Sequence, residues 1–183
     1  MDPRIIKSES LRLIQTERLL LRPFTLDDLE RTHALFDRHP DVWRFDGRYP
    51  RSLEQRRRLL LWRIAELEYG GIGALAVALR ETGELIGQVG LQFWLCERTD
   101  GAMPEVELFY KFGRDYWGQG YATEAARALI FYAFTDLKLK RIVSTAARDN
   151  AHSVNLLRRV GMTISDDPTH PGDILGTLEN TNH

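Results

Sequence analysis

Several features that would place a protein outside the ordinary globular class are scarce or absent in this 183-residue sequence. Its single cysteine, Cys96, has no partner for an internal disulfide, and no Cys/His cluster suggests structural zinc. The longest apolar runs, such as LLLWRIAEL, are broken by charges well short of a membrane span, and the amino terminus has no apolar signal-peptide segment. We therefore expect a cytoplasmic protein without a membrane partner.

An excess of charge of one sign is also absent. The chain has 25 Lys and Arg residues against 26 Asp and Glu residues, so no overall field would attract a nucleic acid. A composition of 43% hydrophobic and 28% charged residues is sufficient for a sizeable core in a chain of this length. We expect one domain, no nucleic-acid partner, and any anion site to be local.

Hydrophobic periodicity predicts helices and strands along most of the chain. The predicted strands are 17–24, 74–80, 85–95, 105–112, 140–148, 162–165 and 174–178. The predicted helices are 26–36 with Thr25 as N-cap, 52–69, 121–137, and 149–161 with Asp149 or Asn150 as cap. Strands 74–80, 85–95 and 105–112 suit an antiparallel meander. Residues 1–16 are expected to form an irregular lead-in, residues 39–50 a loop, and residues 17–180 the domain.

The stretch WGQGYATEA, from Trp117, places two glycines between a predicted strand and a predicted helix. The first N–H groups of a helix lack partners and carry partial positive charge, so they can hold a phosphate that approaches closely. Gly118 and Gly120 would permit that approach because they have no side chains. A simple tight turn is the alternative. The third glycine and the downstream ribose carboxylate of a dinucleotide site are missing, as is the Gly-Lys-Ser/Thr of a triphosphate loop.

A second pattern, N-x-x-S followed by G-M, occurs about 30 residues later as Asn150, Ser153, Gly161 and Met162. On their own, Asn150 and Ser153 also suit a helix cap and its first turn. Together with the glycine stretch, they make the sequence resemble the GNAT superfamily of acetyl-CoA-dependent N-acetyltransferases. Within it, the sequence is most similar to the ribosomal-protein N-terminal alanine and serine acetyltransferases (RimJ/RimL-like), from TERLLLRPFTLDDL to GTLEN.

The resemblance implies a single α/β (α+β) domain with the GNAT fold: a mixed, mostly antiparallel twisted sheet with helices on both faces. It implies acetyl-CoA as cosubstrate and no metal. The family's pyrophosphate loop is matched by Trp117, Gly120 and Ala122, although Trp117 departs from the usual Gln or Arg. In the family the strand before this loop splays from its neighbour and the pantetheine arm lies in the gap. The implied cofactor-binding residues are Tyr110, Lys111, Phe112, Trp117, Gly118, Gln119, Gly120, Tyr121, Ala122, Thr123, Asn150 and Ser153.

Strand periodicity places Glu105, Glu107 and Lys111 on one face of strand 105–112. A carboxylate there could accept the proton of an attacking amine, and Glu107 matches a recurrent acidic position of the resembled branch. Alternatively, both carboxylates form a solvated strand end, with Lys111 as an ion-pair partner for one of them. We predict Glu107 as the catalytic base, and Ser153 as a second catalytic residue that orients or protonates the departing thiolate. Tyr110 is a weaker candidate for the same work.

The acceptor is less defined than the cosubstrate. Residues 41–50 and 52–69 would line its pocket, with Trp43, Phe45 and Asp46 as predicted contacts. The resembled branch favours a protein N-terminal α-amine. A small amine, amino acid or antibiotic, or a non-catalytic acyl-CoA-binding module, are the alternatives, and a homodimer is possible. Cys96 is expected to be a small apolar residue, with direct transfer in a ternary complex and no acetyl-cysteine.

Overall fold

The computed structural model of the chain describes residues 4–8, 11–45, 49–94 and 105–181. The strands are β1 (Arg4–Ser8), β2 (Leu11–Gln15), β3 (Leu19–Pro23), β4 (Ala74–Leu79), β5 (Leu85–Trp94), β6 (Glu105–Phe112), β7 (Arg141–Ala147), β8 (Thr163–Asp166) and β9 (Asp173–Glu179). The helices are α1 (Leu29–Asp37), α2 (Pro40–Trp43), α3 (Leu53–Gly70), α4 (Tyr121–Thr135) and α5 (Ala151–Arg159). Short 3-10 turns precede α1 and the loop before α4.

The strands form one nine-stranded sheet in the order β1-β2-β3-β4-β5-β6-β7-β9-β8. Every neighbouring pair is antiparallel except β6 and β7, which are parallel. The predicted β4–β5–β6 meander is therefore confirmed, and so is the mixed, mostly antiparallel sheet. The parallel pair follows from α4, which crosses over the sheet between the two strands.

Helices cover both faces of the sheet, as expected. Alternating residues of β4 show this arrangement, because Ala74 and Ala76 belong to one buried cluster while Leu75 and Val77 belong to another. The first cluster packs against α1, α2 and α3, and the second packs against α4 and α5. Among the residues that the structure describes, no helix is both long and apolar enough to cross a membrane.

Two expectations about irregular segments are wrong. The first strands form a hairpin that extends the sheet edge, with Ile14 of β2 paired to Leu21 of β3, where an irregular lead-in was expected. Ile14 is 1% exposed and joins the core, and this long-range contact outweighs the weak local pattern. The expected 39–50 loop contains α2, which begins with Pro40 at its first position, where proline costs no hydrogen bond.

The parallel strands β6 and β7 diverge soon after they meet. Only Glu107 and Val143 pair in register across them among the described residues. The Ser144 hydroxyl donates to the Leu108 carbonyl at 2.8 Å, one residue further along each strand. Beyond this point no further in-register pair joins β6 to β7 among the residues that the structure describes. The resulting gap opens between the beginnings of α4 and α5.

Candidate active site

A cavity of about 310 Å³ occupies the gap between β6 and β7. It is walled by residues from the two diverging strands, from the loop before α4, from the first turns of α4 and α5, and from the segment around α2. Of the predicted site residues, those that line it are Phe45, Glu107, Tyr110, Lys111, Phe112, Trp117, Gly118, Gly120, Tyr121, Ala122, Thr123, Asn150 and Ser153. Residues from distant parts of the sequence are thus brought to one cleft.

The glycine loop has the backbone geometry that an anion site at a helix start requires. Gly118 and Gly120 both have positive φ angles, of 75° and 84°, which side-chain-bearing residues rarely adopt. Gly120 directly precedes α4 as its N-cap, and the first three helical residues after it, Tyr121 to Thr123, line the cavity. A Cβ atom at Gly118 would meet no described atom within 4 Å, which leaves room for a ligand against the backbone.

Trp117 anchors this loop to the preceding strand. Its indole Nε1 donates to the Phe112 carbonyl at 2.9 Å, and its ring lies 5.7 Å from that of His152 on α5. His152 also lines the cavity. Gln119, a predicted cofactor contact, does not line the cavity, since its side chain turns back to the Asp115 carbonyl at 2.8 Å.

The start of α5 forms a second corner of the cleft. The Asn150 side chain caps this helix by accepting from the Ser153 N–H at 3.2 Å, as the capping interpretation predicted. The Ser153 hydroxyl and the Tyr110 hydroxyl share a hydrogen bond of 2.6 Å. Burial raises the pKa of Tyr110 to about 12, although the Ser153 contact acts in the opposite direction. Tyr110 is therefore protonated at neutral pH and gives the pair a proton that it can donate.

Glu107 lies on the wall of the same cavity, and its carboxylate accepts three hydrogen bonds. Its Oε1 accepts from the Thr145 N–H at 3.1 Å and the Thr145 hydroxyl at 2.6 Å, and its Oε2 accepts from Gln92 Nε2 at 2.8 Å. The residue is 7% exposed and still lines the cavity. A carboxylate has roughly four acceptor positions, so the described donors leave about one for a ligand or water.

The solvated-strand alternative is wrong for Glu107, because its carboxylate is buried. Glu105 differs from it, since its Oε1 lies 3.5 Å from Arg141 Nε and the residue is not part of the cavity wall. Lys111 lines the cavity, and its Nζ lies 5.5 Å from the centre of the Phe36 ring. Burial lowers the pKa of Lys111 to about 8, against the opposing charge of Asp37.

The acceptor side is only partly as predicted. Phe45 lines the cavity, Trp43 does not, and Asp46 lies outside the described residues. A neighbouring depression of about 500 Å³ continues from the cavity and shares its wall at Phe45 and Thr145. Asp149 and Asp173 lie along this extension.

Sequence reasoning missed the residues that surround the predicted ones. Gln92 and Thr145 hold Glu107. A threonine within a strand gives no local signal of such a role, because its partner depends on which strands become neighbours. Cys96 lies outside the described residues. No group of three or more potential metal ligands occurs among the described His, Cys, Asp and Glu residues.

Comparison with known proteins agrees with this geometry. A family model described as an acetyltransferase (GNAT) domain matches residues 18–163, which is most of the sequence. The chain belongs to the GNAT family. An uncharacterized N-acetyltransferase of Bacillus licheniformis named p20 is 31% identical to this GNAT protein over 148 residues, 80% of each chain. The chain is therefore an acetyl-CoA-dependent N-acetyltransferase.

Solved structures extend the comparison. An acetyltransferase from Agrobacterium tumefaciens str. C58 is 30% identical, with a TM-score of 0.77 over 96% of this GNAT chain and 99% of that one. RimL, the ribosomal L7/L12 α-N-protein acetyltransferase in complex with coenzyme A, is 17% identical, with a TM-score of 0.72 over 90% of this chain and 95% of that one. The fold is thus shared with a ribosomal-protein acetyltransferase, as the sequence patterns indicated.

Proposed function

We propose that the protein transfers an acetyl group from acetyl-CoA to the α-amine of a protein N-terminus, by direct attack in a ternary complex. The observation that carries this proposal is the position of Glu107 and of the Tyr110–Ser153 pair on the wall of one cavity. A proton acceptor for the amine and proton donors for the thiolate are thereby available to the same reacting atoms.

Coenzyme A would be held at the opening of the cleft by backbone groups. The loop from Trp117 to Thr123 would bind the pyrophosphate, because Gly118 leaves open space beside the backbone and Gly120 begins the helix with no side chain of its own. The part of the β6 edge that lies beyond its pair with β7, at Glu107 and Val143, would hydrogen-bond the pantetheine arm as an added strand does. When bound, acetyl-CoA supplies an activated acetyl group, and the protein supplies position and proton transfer.

Glu107 would accept the proton of the acceptor amine, directly or through one water. Thr145 and Gln92 fix both of its oxygens, so the carboxylate is held in one orientation before the acceptor arrives. An α-amine has an ordinary pKa of about 7.7–8.0, well below that of a lysine side chain, so it needs less help to become a nucleophile at neutral pH. This difference favours an α-amine over an alkyl amine for a base of this kind.

The two hydroxyls at the other corner would act on the leaving group. The Ser153 hydroxyl lies 2.6 Å from the Tyr110 hydroxyl, and either of them can be the donor. The raised pKa of Tyr110 keeps its hydroxyl protonated at neutral pH. The pair can therefore donate a hydrogen bond to the sulfur as negative charge develops on it.

A polypeptide acceptor is supported by two observations. RimL, which shares the fold, acts on a protein α-amine according to its name. The depression beyond Phe45 and Thr145 would accommodate the residues that follow an acceptor's N-terminus. An amino acid or another small amine is the second candidate, because the main cavity is large enough for one alone.

The test is to incubate the protein with acetyl-CoA and a panel of N-terminal peptides, amino acids and small amines, while following thiol release. We expect turnover with a subset of the peptides and mass spectrometry to place the acetyl group on the α-amine. Turnover confined to free amino acids or small amines would replace the polypeptide acceptor with the second candidate.

Direct transfer is tested with Cys96→Ala, which we expect to retain wild-type turnover. Wild-type protein mixed with acetyl-CoA alone should show no added acetyl mass. An acetyl adduct on Cys96 that is discharged by an acceptor would instead establish a ping-pong route.

A further inference from the structure

Arg18 connects the beginning of β3 to the glycine loop and the first turn of α4. Its backbone N–H donates to Glu124 Oε1 at 2.9 Å and its side-chain Nε donates to Oε2 at 2.7 Å. Its Nη1 donates to the Gln119 carbonyl at 3.0 Å, and the guanidinium lies 4.5 Å from the centre of the Tyr121 ring. One side chain thus contacts three residues of the segment that begins α4.

We propose that Arg18 is a positioning residue for coenzyme A, which acts by holding the pyrophosphate loop in its binding shape and by neutralising Glu124. The inference rests on the placement of the pyrophosphate at this loop. Arg18 lies about 100 positions before this loop in the sequence and is not part of the cavity wall.

Arg18 restricts the shape of the glycine loop. Gly118 and Gly120 have left-handed backbone angles and line the cleft, but glycine also gives the loop more freedom in the absence of ligand. Gln119 lies between them, and Arg18 holds its carbonyl on the far side of the loop. A bond at the residue between two glycines restricts both, so the N–H groups are directed before the phosphate arrives.

Arg18 also balances the charge of Glu124. Glu124 lies in the first turn of α4, where a carboxylate interacts favourably with the helix but opposes an anion bound at the same end. Burial alone raises the pKa of Glu124, yet hydrogen bonds from Thr16 and Arg18 together with the charge of Arg18 lower it below its ordinary value. Glu124 is thus ionised, and Arg18 balances its charge beside the phosphate site.

Arg80 supplies a matched control in the same neighbourhood. Its Nη1 donates to the carbonyls of Thr16 and Glu17 at 2.8 and 3.0 Å, so it stabilises the turn from which Arg18 extends. It makes no hydrogen bond to residues 117–124 among those that the structure describes. A general effect of losing an arginine at this turn should therefore appear in both variants.

The experiment compares Arg18→Met, Arg18→Lys and Arg80→Met in the full chain. The dissociation constant of CoA is measured by calorimetry, and kcat and KM are measured with acetyl-CoA and with acetylpantetheine, which has the thioester but no phosphate. We expect Arg18→Met to raise the CoA dissociation constant about tenfold or more, which is the scale of a lost charge-assisted hydrogen bond. Its kcat at saturating acetyl-CoA should stay within about twofold of the wild-type value. The CoA affinity of Arg18→Lys should lie between those of the wild type and Arg18→Met, because lysine keeps the charge but lacks the planar guanidinium group.

The kcat/KM for acetylpantetheine should change less than about twofold in both Arg18 variants, since the phosphate-binding loop does not act on that substrate. An equal loss with both thioesters would overturn the proposal in favour of a purely structural Arg18. An unchanged CoA dissociation constant in Arg18→Met, or the same weakening in Arg80→Met, would overturn it as well.

The electrostatic part has its own test. Adding Glu124→Gln to Arg18→Met removes the unbalanced negative charge, so the double variant should bind CoA several-fold more tightly than Arg18→Met alone. Weaker binding in the double variant would contradict the neutralising role.

Gly120→Val distinguishes failure of this inference from failure of the loop assignment. If Gly120→Val weakens CoA binding and Arg18→Met does not, only the proposed role of Arg18 is wrong. If neither substitution affects CoA, the pyrophosphate does not bind at this loop and both statements are wrong.

Discussion

The two ends of β6 contribute to one cleft in different ways. Beyond its carboxyl end, the glycine loop follows within a few residues and offers backbone N–H groups. Near its amino end, Glu107 offers a side chain that is held by Gln92 of β5 and Thr145 of β7. The loop is suited to binding and the carboxylate to chemistry, so damage at the first should change affinity and damage at the second should change rate.

The largest expected effect is at the carboxylate. Glu107→Gln keeps the size and most hydrogen-bonding capacity of the side chain but removes its basicity. We expect kcat to fall by on the order of 10² to 10⁴, with the CoA dissociation constant nearly unchanged. Steady-state kinetics and calorimetry measure the two quantities, and higher pH should partly restore the rate because more of the amine is then neutral.

Glu105→Gln is the control for this prediction, because Glu105 lies on the same strand face but contacts Arg141 outside the cavity. Its kcat should stay near the wild-type value. If Glu107→Gln turns over normally while its stability or CoA affinity falls, Glu107 is structural and the contrast between the two ends of β6 disappears.

The second effect is at the loop. Gly120→Val adds a β-branched side chain at a φ angle of 84°, where strain and bulk both displace the backbone. We expect CoA to bind at least about tenfold more weakly, a loss of roughly 1.4 kcal/mol. Gly83→Val is the control, since Gly83 also has a positive φ angle, of 73°, but lies in the β4–β5 turn. Equal CoA affinities in the two folded variants would contradict the loop assignment.

A smaller effect is expected from Thr145→Val, which removes one of the three hydrogen bonds to Glu107 while keeping the backbone N–H donor. The carboxylate would lose part of its orientation, and kcat should fall by about 3- to 20-fold. CoA affinity should stay unchanged, and Thr145→Ser, which keeps the hydroxyl, should recover most of the rate. Failure of serine to recover activity would point to packing of the threonine methyl group.

The smallest effect concerns stability at Lys111, between the two ends of β6. Its pKa is lowered to about 8 by burial, whereas the unfolded chain has the ordinary value of 10.5. Between these values the unfolded state binds more protons, so the free energy of unfolding should rise with pH and level off above the upper value. Lys111→Met lacks this rise.

We therefore expect Lys111→Met to exceed the wild-type melting temperature by a few degrees below pH 8, with the gap shrinking as pH increases toward the unfolded value. Thermal unfolding across this range measures the difference. Lys140→Met, at an exposed position, should track the wild type at each pH. A gap for Lys111→Met that does not change with pH would show that the lysine does not lose its proton in this interval.

Much of the fold could be predicted from periodicity because its elements are locally defined. The predicted 105–112 strand coincides with β6, and the predicted 52–69 helix coincides closely with α3, which is capped by Ser52 and Gln55. The amino-terminal hairpin was missed, because β1 and β2 show no clear alternation in sequence. Their pairing depends on an open sheet edge at β3.

The sequence by itself determined the glycine loop and the helix starts at Gly120 and Asn150, because backbone angles and capping act between neighbouring residues. Only the tertiary structure decided that Glu107 is buried between Gln92 and Thr145, and that Arg18 meets Glu124. These contacts join residues that are far apart in the chain, and they depend on strand order and register. A shift of one residue in either strand would turn such side chains to the opposite face of the sheet.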